Sequence, residues 1–252
     1  MVGVQGVSGA WEDNAAQWLA WARTSEHDVY HWRLNFPQFT TLLPAAGRRT
    51  LDVGCGEGRL GRWLAARGHH VAGVDSSPTL TAAAQQAGGY EELMCADAAC
   101  LPWPDDAFDL AVAYMSLHDM PHPDRVIGDI ARVLCPGGCL AVAIIHPLNR
   151  PDEDLDRYFE RTRFREEVVR NGLAMTFEGV DRPLSDYTAA LVDHGFVIDR
   201  LNEPRPTPED CDADESLVKA SRRPYFLHVR CRLEPGHYDA QRPGHRFADR
   251  AV

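Results

Sequence analysis

Leu51-Asp-Val-Gly-Cys-Gly-Glu-Gly58 is the stretch on which the fold turns. Thr50-Leu-Asp-Val53 reads as a buried strand, and Gly54, Gly56 and Gly58 as a tight turn after it. Arg59 to Arg67 follows with Leu60, Trp63 and Leu64 at helical spacing, and Gly68 stops that helix. Glycines let backbone approach a ligand closely, because no Cβ intervenes. The helix start behind them offers unpaired N–H groups to a negative ligand end. Strand, glycine turn and helix together therefore predict a ligand cradle, although a glycine turn can also be purely structural.

Outward from that cradle the pattern alternates short apolar runs with helical stretches. His70 to Val74 is the next strand, closed by Asp75, and Ser76-Ser-Pro78 caps and opens a helix. Glu92 to Ala96 is a third strand followed by Asp97, and Phe108 to Tyr114 a fourth. Pro123 to Leu134 is an amphipathic helix. The turn Cys135-Pro-Gly-Gly-Cys139 then leads into a fifth strand ending at Ile145. Such alternation predicts an α/β protein with a parallel sheet and helices on both faces. Ligands in such sheets sit at the carboxyl ends of the strands. Asp75 stands there, 23 residues after Asp52, where a carboxylate can accept both hydroxyls of a ribose.

Beyond Pro147 the regularity weakens. Residues 152–171 carry Leu155, Phe159, Phe164 and Val168 at helical period and read as a helical insertion. Leu184 to His194 reads as a helix, Phe196 to Leu201 and Tyr225 to Cys231 as strands, and residues 203–214 as an acidic loop. The N-terminal residues 1–47 hold Trp11, Trp18, Trp21 and Trp32, with Trp11, Ala15, Trp18 and Ala22 on one helical stripe. They read as a helical lid over a domain spanning 48–233, with 234–252 a polar, flexible tail.

The chain has 252 residues, 26 Lys+Arg against 37 Asp+Glu, and a formal charge of −11. That balance disfavours nucleic acid, whose phosphates require a basic footprint. No apolar run approaches the ~18 residues of a membrane span, and the start lacks the basic and apolar regions of a secretory signal. Seven cysteines at irregular spacing read as free thiols in a reducing, cytoplasmic setting. Homo-oligomerisation is left open.

The spacing D-x-G-x-G-x-G, then Asp75, then Ala96-Asp97-Ala98, then Phe108-Asp109-Leu110 and Pro136-Gly-Gly138 resembles class I S-adenosylmethionine-dependent methyltransferases. The likeness is to the family 11-type small-molecule enzymes, related to the ubiquinone and menaquinone biosynthesis methylases. It covers residues 48–146 well, and runs more loosely through Gly195-Phe196, Glu203-Pro204 and Pro224 to Arg232. The resemblance implies a Rossmann-like sheet of seven strands, mostly parallel, with the last strand antiparallel. It implies S-adenosylmethionine as cofactor, held by Asp52, Gly54, Cys55, Gly56 and Gly58, with Asp75 and Ser76 at the ribose, Asp97 and Ala98 at the adenine, and Met115 alongside. Tyr30 is expected at the cleft and Arg33 at the cofactor's carboxylate.

Methyl transfer needs the acceptor atom held near the sulfonium carbon and a base only if that atom bears a proton. His118 and His146, after the fourth and fifth strands, are the candidate bases, with Tyr30 as a third catalytic candidate. No metal site is expected: His118-Asp-Met-Pro-His122 looks like a zinc helix, but Pro121 breaks it. The expected acceptor is a small aromatic or planar metabolite, methylated on oxygen, nitrogen or an electron-rich ring carbon, in specialised metabolism. The rivals are a nicotinamide-dependent oxidoreductase, whose third glycine would fall one residue later than Gly58, and a non-catalytic cofactor-binding protein.

Overall fold

The computed structural model describes residues 9–24, 27–46 and 48–235. Among them nine strands form two sheets: β1 (Arg49–Val53), β2 (His70–Asp75), β3 (Glu92–Cys95), β4 (Phe108–Tyr114), β5 (Leu134–Ile145), β6 (Thr162–Arg170), β7 (Leu173–Asp181), β8 (Phe196–Asn202) and β9 (Phe226–Leu233). The large sheet has the order β3-β2-β1-β4-β5-β9-β8, while β6 and β7 pair with each other. All its pairings are parallel except the two made by β9. The expected seven-stranded sheet with an antiparallel last strand is therefore the one observed.

The α-helices among the described residues are α1 (Ala10–Asp13), α2 (Ala15–Arg23), α3 (Phe36–Thr40), α4 (Arg59–Ala65), α5 (Pro78–Ala87), α6 (Pro123–Val133), α7 (Asp152–Leu155), α8 (Leu184–Asp193), α9 (Pro208–Ala213) and α10 (Val218–Arg222). Strand alternation sends β4 side chains to opposite faces. Ala111 and Ala113 pack with Ile127 and Ile130 of α6 and Leu191 of α8, while Leu110 and Val112 pack with Phe39 of α3 and Leu60 and Leu64 of α4. Each such buried aliphatic or aromatic side chain contributes roughly 1.5–3 kcal/mol. A sheet covered on both faces leaves its strand ends as the place for a cleft. Among the described residues no helix is long and apolar enough to cross a membrane.

Four expectations need correction. Residues 152–171 are not a helical insertion. Only α7 is helical, and β6 and β7 form a hairpin in which Arg170 pairs with Leu173. Asn171 and Gly172 both have positive φ, 48° and 77°, as a two-residue hairpin turn of the Asn-Gly kind demands. The acidic loop contains α9, opened by a capping box in which Thr207 and Asp210 satisfy each other's backbone N–H. Pro136-Gly-Gly138 lies inside β5 as an irregularity, the register jumping from Phe108↔Leu134 to Leu110↔Cys139. The tryptophan stripe is split at Asn14 into α1 and α2, although the Trp11 and Trp18 rings still meet edge-on at 5.5 Å. Most of the supposed tail, 236–252, lies outside the described residues.

Candidate functional site

A cavity of about 1370 Å³ opens at the carboxyl ends of β1–β5. That exceeds the ~300–1,000 Å³ typical of a single small-ligand site, so it has room for two molecules.

One half is a rim of backbone loops. The N–H groups of Gly54 and Cys55 donate to Val74 O at 2.8 and 3.0 Å, folding the loop after β1 onto the end of β2. Gly54 has φ +70°, and a Cβ there would collide with Ser116 Cβ. Asp75 is clamped by two donors, Gly56 N–H to Oδ2 at 2.8 Å and Ser77 N–H to Oδ1 at 2.9 Å. Burial raises its carboxyl above the usual range, while those same donors oppose the rise. Each oxygen keeps a further lone pair for a ligand hydroxyl. Asp97 is exposed on the cavity wall, its Oδ1 held by Ala99 N–H at 2.9 Å. Ser76, Ala98 and Met115 line the same wall. Met115, at φ +57°, is a non-glycine residue in the left-handed region, where strain often accompanies function.

Asp52 also reaches the cavity but is buried. Burial lifts its carboxyl to about 7, and the Tyr90 hydroxyl donates to its Oδ2 at 2.8 Å. Its carboxyl thus ties the end of β1 to Tyr90 and to the backbone of Gly61 in α4. The Cys55 thiol lines the cavity and is pushed up by burial. Gly58 does not line it; Gly58 is the N-cap of α4 and sits against Tyr90 and Ala84.

The other half is the cover. Its N-terminal part is fixed by Glu12, whose carboxylate accepts from the Ser77 hydroxyl and from Thr79 N–H and Oγ1 at the start of α5. Glu57, buried in the glycine loop, pairs with Arg23 of α2 at 3.1 Å and Arg62 at 2.8 Å. The hairpin is tied down by Arg182. Its Nη1 donates to His118 O at 3.1 Å, and its Nη2 to Met120 O and Pro121 O at 3.0 and 3.1 Å. Trp11, Trp18 and Trp21 from the N-terminal side, and Phe164 and Phe177 from the hairpin, face the cavity.

His118, His146 and Tyr30 all line this cavity, but their chemistry differs. Burial, helped by Arg182, pushes the His118 ring down to about 3, so it is neutral at pH 7. Its Nε2 lies 3.4 Å from Asp119 Oδ1, and its Nδ1 has no hydrogen-bond partner. Asp119 is itself pushed up to about 8 by burial, against a hydrogen bond with Trp11. His146 accepts from Leu148 N–H at Nδ1 (3.0 Å), which leaves the proton on Nε2, 3.0 Å from Glu203 Oε1. Both its nitrogens are engaged within the protein. Tyr30 donates to Ser216 O at 2.6 Å and stacks on Tyr225. Of the two histidines, only His118 keeps a ring nitrogen without a hydrogen-bond partner.

Arg33 does not reach the cavity. Tyr30–Asn35 winds as a π-helix, which turns His31 and Asn35 inward and leaves Arg33 exposed. The cavity's cation on this side is Arg59, bonded to Asp28 at 3.0 Å and lying 5.0 Å over the Trp18 ring. The sequence reading passed over Arg59, Asp28 and His31, whose Nδ1 meets the Tyr114 hydroxyl at 2.9 Å. One signal was available for Arg59. A cation at a helix N-terminus opposes the helix dipole, and such local conflicts mark functional positions.

Residues 51–142 match the family model described as a methyltransferase domain. Methyltransferase GfsG of Streptomyces halstedii is 42% identical over 120 residues, 45% of this chain and 43% of that protein. A ubiquinone biosynthesis O-methyltransferase of Marinobacter nauticus is 34% identical over 143 residues, 52% of this chain and 58% of that one. The chain thus spans about half the length of the curated relatives it matches. Among solved structures, an S-adenosylmethionine-dependent methyltransferase from Mesorhizobium loti matches with a TM-score of 0.67 and 29% identity, over 78% of this chain and 96% of that one. The sheet order, the glycine rim and these matches agree in likening the chain, through residues 51–142, to the class I S-adenosylmethionine-dependent methyltransferases.

Proposed function

We propose that this chain transfers the methyl group of S-adenosylmethionine to a small planar acceptor. The observation that carries the reading is convergence: Gly54–Gly56, Asp75 and Asp97, from three separate strand ends, face one cavity that continues beneath an aromatic cover. The residues present fit such a cofactor. Asp75 retains acceptor capacity for ribose hydroxyls, Asp97 and Ala98 stand where a base edge would lie, and the glycine loop admits close backbone approach. Arg59, which lines the cavity as Arg33 does not, is the residue we assign to the cofactor's carboxylate. Bound S-adenosylmethionine supplies an electrophilic methyl on a sulfonium, and the thioether that leaves is neutral, so no acid is needed.

What remains for the protein is to position the acceptor and take its proton. His118 Nδ1 is the group for that proton when the acceptor is a hydroxyl. Being buried and neutral, it orients the hydroxyl first and takes up charge as the oxygen–carbon bond forms. His146 and Tyr30, each committed to protein partners, shape the wall instead. The ubiquinone-biosynthesis relative, named an O-methyltransferase, supports an oxygen acceptor. A role in specialised metabolism belongs to the same proposal.

Calorimetric titration tests the reading. S-adenosylhomocysteine should bind and NAD should not. Binding of NAD alone would replace this proposal with the oxidoreductase reading, and binding of neither would leave the chain without a cofactor role.

A further inference from the structure

Among the described residues, the buried side-chain atoms without a hydrogen-bond partner are His27 Nε2, His118 Nδ1, and Nε and Nη2 of Arg150. His118 and Arg150 line the cavity, and His27 does not. Arg150 lies just beyond β5, its side chain only 2% exposed. Its contacts are few and long: Nη1 donates to Tyr158 O at 3.4 Å, Nε is 3.7 Å from Asp181 Oδ1, and the guanidinium lies 5.2 Å from the Tyr158 ring centre. A guanidinium presents five N–H donors in a rigid fork. Nε and Nη2 are adjacent donors on that fork, the pair that receives the two oxygens of a carboxylate. Burying them unpaired is costly, and Asp181 stands too far away for a hydrogen bond. Arg182, another guanidinium lining the cavity, is by contrast spent on backbone carbonyls.

Resting on the methyltransfer reading, we propose that Arg150 anchors a carboxylate of the acceptor. The acceptor is then a hydroxylated aromatic acid: its ring lies among the aromatic side chains of the cover, its carboxylate on Arg150, and its hydroxyl toward His118 Nδ1. The unpaired atoms of these two cavity-lining residues call for this complement, a proton donor at one pole and an anionic oxygen at the other.

The test uses full-length protein with and without saturating S-adenosylhomocysteine, titrated with 2-, 3- and 4-hydroxybenzoate and with the matching hydroxybenzamides. At least one acid should bind tenfold or more tightly than its amide. Arg150→Gln should abolish that preference and Arg150→Lys should retain part of it, with affinity for S-adenosylhomocysteine within twofold of wild type in both. Equal binding of acid and amide by the wild type, no binding of any acid, or a tenfold preference surviving in Arg150→Gln would overturn the assignment. The wild-type comparison stands even if a variant fails to fold. Failure of S-adenosylhomocysteine to bind would instead count against the cofactor reading, while the acid–amide comparison without it still reads Arg150.

Discussion

The rim and the cover line the same cavity but are built by different means. The rim is assembled from the ends of consecutive strands: the loop after β1 bonds to β2 through Val74 O, and Asp75 at the end of β2 bonds back to that loop. Gly54, Asp75 and Asp97 each lie one βα unit from the next. The cover is assembled across the chain. Glu12 reaches Ser77, Arg170 reaches His27 O, and Arg182 reaches the carbonyl of His118. A local motif fixes the first, and long-range polar pairs fix the second. Binding of cofactor should therefore depend on the rim, and turnover on both.

The largest effect expected is from removing residues 1–24. Misplacing a bound acceptor costs on the order of 100-fold or more, so turnover should fall at least that far while far-UV circular dichroism keeps the sheet signature. Full activity after truncation would return Trp11 and Trp18 to simple packing. Gly54→Ala comes next. Its Cβ meets Ser116 and its φ is positive, so unfolding should ease by about 2–4 kcal/mol in a denaturant titration. A neutral result would mean the loop can move away from β4.

Asp75→Ala should weaken S-adenosylhomocysteine binding by roughly 1–3 kcal/mol, or about 5- to 150-fold. Unchanged affinity would refute the ribose assignment.

The two regions should also answer pH with opposite sign. In the rim, Asp52 is raised to about 7 by burial. Its contribution is fully present below the ordinary carboxylate range and is lost as pH rises toward 7. Asp52→Asn should thus gain on wild type by up to about 1.4 kcal/mol per pH unit over that window. In the cover, burial drives His31 down to about 2. Its contribution is present above about 6.5 and is lost as pH falls, so wild type should lose ground to His31→Asn on acidification. Thermal melts from pH 4 to 8 read both, and slopes of the same sign would contradict the assignment. Smallest is Gly172→Ala at the open hairpin turn, where positive φ alone should cost about 1 kcal/mol without altering cofactor affinity.

The same contrast explains what could be read from sequence. The seven-stranded sheet and the rim residues Gly54, Asp75 and Asp97 were legible because their spacing is local and their chemistry repeats. The hairpin was not. Leu155, Phe159, Phe164 and Val168 fit a helical period, whereas the half-buried positions of β6 are Thr162, Phe164, Val168 and Arg170, a period of two interrupted by the exposed Glu166 and with apolar residues only at 164 and 168. The Asn171-Gly172 pair was the overlooked cue. Arg33 failed for another local reason: the π-helical turn rotates the face that an α-helical reading assigns to the cleft. The pairs Glu57–Arg23 and Arg182–His118 O are invisible to periodicity, since each joins segments that only the folded sheet brings together.

The most direct test of two separately built halves is one titration series. S-adenosylhomocysteine affinity is measured by calorimetry for wild type, for Asp75→Ala in the rim and for Phe164→Ala in the hairpin. The account predicts a loss of about 5- to 150-fold for Asp75→Ala and a change within about twofold for Phe164→Ala. Equal losses, or a loss confined to the hairpin variant, would contradict it.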